Sequence, residues 1–183
     1  MQKVAVIFSL ILVCLNCHAQ NKIPSADEIL KPVYAQAARE NKKVLLIFHA
    51  SWCGWCRKMD ASLRDNNIQP LINENYITTH LTVYESQDKK ELENPGALEF
   101  LTQHGGADKG IPFWLVLDEN GNVLADSQYK PKQNTGCPAS EEEVAYFISV
   151  LKKTSSLNND QLKVIEKRFR MNEAKRIEPQ LQN

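Results

Sequence analysis

Apolar positions along this chain follow two rhythms, one with helical spacing and one in short unbroken runs. Ile29, Val33 and Ala37 recur at helical spacing, and Ser25 with Glu28 three residues on forms a capping-box pair. The pattern predicts a helix from there to about Asn41 and Lys42. Pro32 has no N–H to give, so it is expected to delay the start of that helix or kink it. Residues 44–48 (V-L-L-I-F) are continuously apolar and predict a strand buried on both faces. A helix is expected after Trp52, running to the turn cluster Asp65, Asn66 and Asn67. Residues 76–84 are rich in β-branched and aromatic side chains and read as a second core strand. Residues 85–93 are charged and read as exposed. Residues 95–103 predict a short helix, with Pro95 near its first turn, Leu98 and Leu101 on one face, and Gly105 and Gly106 ending it.

The second half continues the alternation. Residues 113–117 (F-W-L-V-L) predict a strand, 118–121 (D-E-N-G) a hairpin turn, and 122–125 the returning strand. Residues 127–138 contain two prolines and one glycine and read as a loop. Ser140 and Glu143 form a second capping box, opening a helix with Val144, Phe147, Ile148 and Leu151 on one stripe. Leu162, Ile165 and Phe169 mark a further amphipathic helix, and residues 177–183 read as a frayed tail. The order predicts an α/β fold: a central mixed sheet flanked by helices, with an extra C-terminal helix.

The first residues break this pattern. Lys3 is followed by about a dozen mostly apolar residues and then by Cys17-His18-Ala19, with small residues at the first and third positions. The run is shorter than the roughly 18–20 residues of a spanning helix. The expectation is a signal peptide over 1–19, cleaved after Ala19, then a domain over 20–156 and an additional helix and tail over 157–183. Export to a periplasm or to the exterior follows. A lipid anchor ranks second, because Val13 and Asn16 before the leader cysteines are not small residues.

Composition narrows the class. With 183 residues, 43% hydrophobic and 24% charged, the chain fits one globular domain and not a disordered polymer. Its 22 basic and 22 acidic residues cancel, so no strong field draws it to nucleic acid. Five cysteines are too few for a disulfide-built scaffold. Two of them, Cys14 and Cys17, lie in the leader, which leaves Cys53, Cys56 and Cys137.

Cys53 and Cys56 form a C-x-x-C pair between the 44–48 strand and a predicted helix. Two thiols at that spacing can close a small disulfide or hold zinc. At a helix N-terminus, free backbone N–H groups favour a thiolate, and the thiolate is the nucleophile. Cys53 is the candidate nucleophile. Cys56, one turn into the helix, is expected to be more shielded and to resolve the mixed disulfide. Gly110-Ile111-Pro112 is the second element. Proline at a strand entrance belongs at an edge, bulge or special turn, and X–Pro is the common setting for a cis bond.

The W-C-G-x-C motif after an apolar strand, with G-I-P before a hairpin and a final helix, resembles the thioredoxin superfamily over about residues 42–153. The resemblance implies that Pro112 is cis and packs beside Cys53, and that the Ile111 backbone pairs with an extended substrate segment. It carries over Trp52, Cys53, Gly54, Cys56 and Pro112. Two departures stand out. Trp55 occupies the place of the proline in thioredoxin proper. Ile47 stands where thioredoxin has a buried acidic residue, which removes a proton acceptor for the resolving cysteine. These features resemble exported bacterial thioredoxin-like proteins more than cytosolic thioredoxin.

The expected activity is thiol–disulfide exchange with exported proteins, the substrates being protein disulfides or dithiols. The direction is open, no dissociable cofactor or metal is required, and a monomer is expected. A reducing role calls for an upstream membrane electron donor. The alternatives are a non-catalytic binding module or a metal carrier using Cys53 and Cys56. Among the remaining residues, Trp55 is expected to stay partly exposed for substrate contact, and Trp114 and Phe113 to be core. His49 is expected to pack and His104 to lie at the surface. Arg57 and Lys58 either favour the thiolate or sit on a solvated face. Cys137 is open between an unpaired thiol, an intermolecular bridge and a third redox partner.

Overall fold

The computed structural model describes residues 22–173. The expected leader over 1–19, its expected cleavage after Ala19 and the expected frayed tail over 177–183 lie outside the described residues. Helix α1 spans Ala26–Glu40 and opens with the predicted box: the Ser25 hydroxyl accepts from Glu28 N, and the Glu28 carboxylate accepts from Ser25 N at 2.7 Å. Pro32 neither delays nor ends this helix. It sits on the exposed face, where water can serve the Glu28 carbonyl that its missing N–H would have bonded. Asn41 closes the helix in the left-handed conformation, φ 51°.

Strands β1 (Lys43–His49), β2 (Tyr76–Thr82), β3 (Phe113–Leu117) and β4 (Val123–Asp126) form one sheet in the order β2-β1-β3-β4. β1 runs parallel to β2 and antiparallel to β3, and β3 pairs antiparallel with β4. The sheet is therefore mixed, as expected. β1 and β3 are central and buried along their apolar runs. β2 is not a core strand but an edge, with only Tyr76 and Leu81 buried along its length. β-Branched composition marks a strand and cannot say how many neighbours it has.

Helix α2 covers Gly54–Leu63 and stops before the predicted turn cluster. A separate helix, α3 (Gln69–Asn75), was not legible, because seven residues are too few to establish a period. A 3₁₀ helix spans Gln87–Leu92, and α4 spans Ala97–Gln103. The segment read as a loop over 127–138 contains a small hairpin, β5 (Gln128–Lys130) and β6 (Gln133–Asn134), too short to show alternation. Helices α5 (Glu141–Thr154) and α6 (Asn159–Arg170) follow, each with a reciprocal N-terminal box.

The pleat of β1 divides the core. Val44, Leu46 and Phe48 face α1 and α4, packing with Leu30, Ala37 and Leu101. Leu45 and Ile47 face α2, α3, α5 and α6. The C-terminal helix joins this second core directly: Phe169 lies 4.8 Å from the Phe147 ring, and Leu162, Ile165 and Phe169 are all buried. Each such side chain contributes about 1.5–3 kcal/mol of burial. Both expected core residues, Phe113 and Trp114, are fully buried.

Candidate active site

The end of β1 feeds a short loop, Ala50-Ser51-Trp52, into the N-terminus of α2. Cys53 is the N-cap of that helix, and its sulfur accepts from Cys56 N at 3.0 Å. Cys53 and Cys56 are joined by a disulfide with a Cα–Cα distance of 5.3 Å. Sequence reasoning expected Cys56 to be the better shielded of the two. In the disulfide form each is 3% exposed, so exposure does not separate them. Their positions do. Cys53 caps the helix and lies 3.6 Å from the Ile111 carbonyl oxygen. That approach is a contact and not a hydrogen bond, since an oxidised sulfur carries no proton. Cys56 is already inside the helix.

Ile111–Pro112 is a cis peptide and stands directly before β3. Ile111 packs against the Ala50, Cys53 and Cys56 cluster. Trp52 and Trp55 are 56% and 46% exposed, so two indoles flank the disulfide at the surface. Lys58 sits 4.1 Å over the Trp55 ring, which keeps its ammonium on the outer face. Arg57 turns back to donate to the Ser51 carbonyl at 2.9 Å. Trp55, Ile111, Pro112, Asn134, Gly136 and Cys137 line a shallow cleft beside the pair.

Two residues that sequence reasoning left aside hold this loop system. Glu85 lies in the stretch read as exposed, yet it is 4% exposed. Its carboxylate accepts from the Ser51 N–H at 2.6 Å and the Ser51 hydroxyl at 2.7 Å. The neighbouring Tyr84 carbonyl accepts from the Trp52 indole N–H at 2.7 Å. A buried carboxylate needs such donors, and Glu85, on the chain leaving β2, finds them at the entry to α2. No local pattern marks Glu85, because its partner is 34 positions away. The second residue, Asn134, has its side-chain amide donating to the Lys109, Gly110 and Pro112 carbonyls at 3.2, 3.1 and 3.0 Å. Its oxygen accepts from Gly136 N at 2.9 Å. The N-x-G spacing was a legible signal for that last bond alone.

The histidines settle at the periphery. His49 is half-buried, with its ring 4.9 Å from His80. Burial pushes its pKa below the usual histidine value, and the nearby His80 adds to that; Asp60 and Glu85 oppose it. His80 pairs with Asp60 at 2.9 Å. Burial of Asp60 works to raise its pKa, but the His80 hydrogen bond and charge outweigh it and hold the carboxyl low. His104 is at the surface but half-covered, its ring 4.4 Å from that of Phe100. Its partial burial lowers its pKa. Among the described residues, no group of three or more His, Cys, Asp or Glu is placed to hold a metal.

Cys137 is free and 3% exposed. The Asn172 amide donates toward its sulfur at 3.4 Å, and burial pushes its pKa up to about 12. A thiol so hard to ionise is a poor nucleophile.

The comparisons agree with this architecture. No curated protein matches the chain. Among solved structures, a disulphide isomerase from Xylella fastidiosa Temecula1 is 23% identical with a TM-score of 0.53, covering 79% of this chain and 99% of its own. A thioredoxin from Thermus thermophilus is 16% identical with a TM-score of 0.45, covering 72% of this chain and 83% of its own. At 23% identity the likeness to the first of these is one of fold. The family model described as thioredoxin-like matches residues 28–119, which is half of the chain and runs from α1 through the disulfide and the Ile111–Pro112 bond to the end of β3. With that match, and with a C-x-x-C pair at the head of α2, the chain belongs to the thioredoxin-like family.

Proposed function

We propose that this protein is a thiol–disulfide oxidoreductase of exported proteins, with Cys53 as the exchanging sulfur and Cys56 as the resolving one. The observation that carries the reading is the Cys53–Cys56 disulfide at the N-terminus of α2, beside the Ile111 carbonyl. Helix N-terminal N–H groups favour a thiolate at Cys53 in the reduced form. In the reducing direction, the Cys53 thiolate attacks one sulfur of a substrate disulfide, and that S–S bond breaks to release a substrate thiolate. Cys56, as thiolate, then attacks Cys53 Sγ and expels the second substrate thiolate. The substrate gains two electrons and the pair returns to the disulfide. The oxidising direction runs these steps backwards from a substrate dithiol. Trp52, Trp55, Ile111 and Pro112 form the substrate-facing surface.

The cysteines carry the electrons themselves. Reduction potentials of C-x-x-C proteins span ~150 mV, or ~7 kcal/mol for two electrons, on one fold. Sustained reduction draws on an upstream donor, for which a membrane protein is the natural class if the chain is exported. The basic start, apolar run and small-residue site of 1–19 support export and cleavage after Ala19.

The test is reduction of insulin by dithiothreitol with wild type, Cys53→Ser and Cys56→Ser. Turnover by wild type alone supports the reading, and equal turnover by all three sinks it. Equilibration with glutathione buffers then gives the potential and the direction. N-terminal sequencing of secreted protein that begins at Met1 would overturn the leader assignment.

A further inference from the structure

We propose that Asn134, on the short β5–β6 hairpin, is a positioning residue for the Ile111 substrate-facing peptide unit. The inference rests on thiol–disulfide exchange at Cys53 and adds a residue outside the motifs that define it. The segment before β3 is not held by a sheet ladder. Asp108 and Gly110 both have positive φ, 58° and 78°, and a non-glycine residue there needs outside support. Within the segment, one turn bond from Lys109 N to the Gly106 carbonyl is present at 3.2 Å.

The Asn134 amide supplies the outside support. Its two hydrogens are shared among the carbonyls of Lys109, Gly110 and Pro112. Gly110 and Pro112 flank Ile111, whose own carbonyl is the one 3.6 Å from Cys53 Sγ. Fixing the carbonyls on either side fixes the plane between them, leaving the Ile111 backbone free for a substrate strand. The hairpin is anchored in turn. Thr135 N donates to the Ser127 carbonyl at 2.7 Å, and the buried Trp114 indole donates to the Gly136 carbonyl at 3.1 Å. The geometry thus runs from the sheet core through the hairpin to the active loop.

Two variants separate this role from simple turn formation. Asn134→Asp keeps the oxygen that accepts from Gly136 N but replaces the donors with an acceptor facing three carbonyls. Asn134→Ala removes both. Gln133→Ala, on the exposed neighbouring position, is the control. In insulin reduction, both Asn134 variants are expected to lose about tenfold in kcat/KM, chiefly through KM. Alkylation of reduced Cys53 by iodoacetamide needs no substrate groove and should stay within about twofold of wild type. Hydrogen exchange over residues 109–113 should accelerate in both variants, and exchange in α1 should not. Wild-type kinetics and exchange in Asn134→Asp would overturn the proposal. So would a parallel fall of alkylation and turnover, which would mean general damage to the fold. If wild type itself fails to reduce insulin, the exchange reading fails. In that case unchanged exchange over 109–113 overturns the anchoring by Asn134, and accelerated exchange supports it.

Discussion

Cys53 and Cys137 each leave 3% of their surface open; Cys137 lines the cleft beside Pro112 and Gly136, and Cys53 packs against Ile111, another residue of that lining. What surrounds each sulfur differs. Cys53 caps a helix, and the Cys56 backbone N–H donates to its sulfur at 3.0 Å. Cys137 sits in the core between α2, α5 and α6, with one side-chain amide at 3.4 Å and burial working against its charged form. The comparison teaches that exposure does not set thiol chemistry. A helix N-terminus favours the charged form of a sulfur, and burial without such dipoles keeps a thiol protonated.

The strongest way to break that contrast is differential alkylation of the reduced native protein at pH 8. With a pKa of about 12, Cys137 presents about 10⁻⁴ of its thiol as thiolate there. Cys53 should therefore react at least about 10³-fold faster, and the gap should close in denaturant. Comparable native rates would put the two sulfurs in the same class.

Mutation tests the same contrast by turnover. Cys53→Ser should lower insulin reduction by about 10³-fold or more, while Cys137→Ala leaves it within about twofold. A large loss in Cys137→Ala would make that residue a redox partner after all. A smaller effect belongs to stability. Cys137→Ala removes a buried sulfur and its contact with Asn172, and should cost about 1 kcal/mol, seen as a melting temperature about 2–4 °C lower. An unchanged melting temperature would mean that the site collapses without loss.

The smallest expected effect asks whether burial acts on His49 as it does on Cys137, by disfavouring charge. The folded pKa of His49 lies below its unfolded value of about 6.5. The unfolded chain therefore takes up the proton first. The stability that neutral His49 contributes is complete above that value and is lost as pH falls through it. Melting of wild type and His49→Gln from pH 8 to pH 5 checks this, and the variant should show the shallower decline. His80, Asp60 and Glu85 surround the ring and are present in both proteins, so identical slopes would remove His49 from the account.

How much was legible follows from the range over which each feature is encoded. The two predicted capping boxes, the run at 44–48, the Cys53/Cys56 spacing and Pro112 are each written within a few consecutive residues, and each stands where the pattern put it. Helix α3, the β5–β6 hairpin and the edge position of β2 escaped. The first two are too short to show a period, and the third depends on neighbours that composition does not name. Glu85 was misread outright, because a carboxylate in a charged stretch looks solvated until its partner is known.

By itself, the sequence determined an α/β chain with a disulfide-capable pair at a helix start, because hydrophobic period, capping and C-x-x-C spacing are local properties of the polymer. Tertiary structure alone decided which loops brace that pair and what Cys137 can do. Glu85 reaches Ser51 across 34 positions, Asn134 reaches Gly110 across 24, and Asn172 reaches Cys137 across 35. Hydrogen bonds and desolvation act over a few ångströms of space, and only the folded chain turns such separations in sequence into contacts.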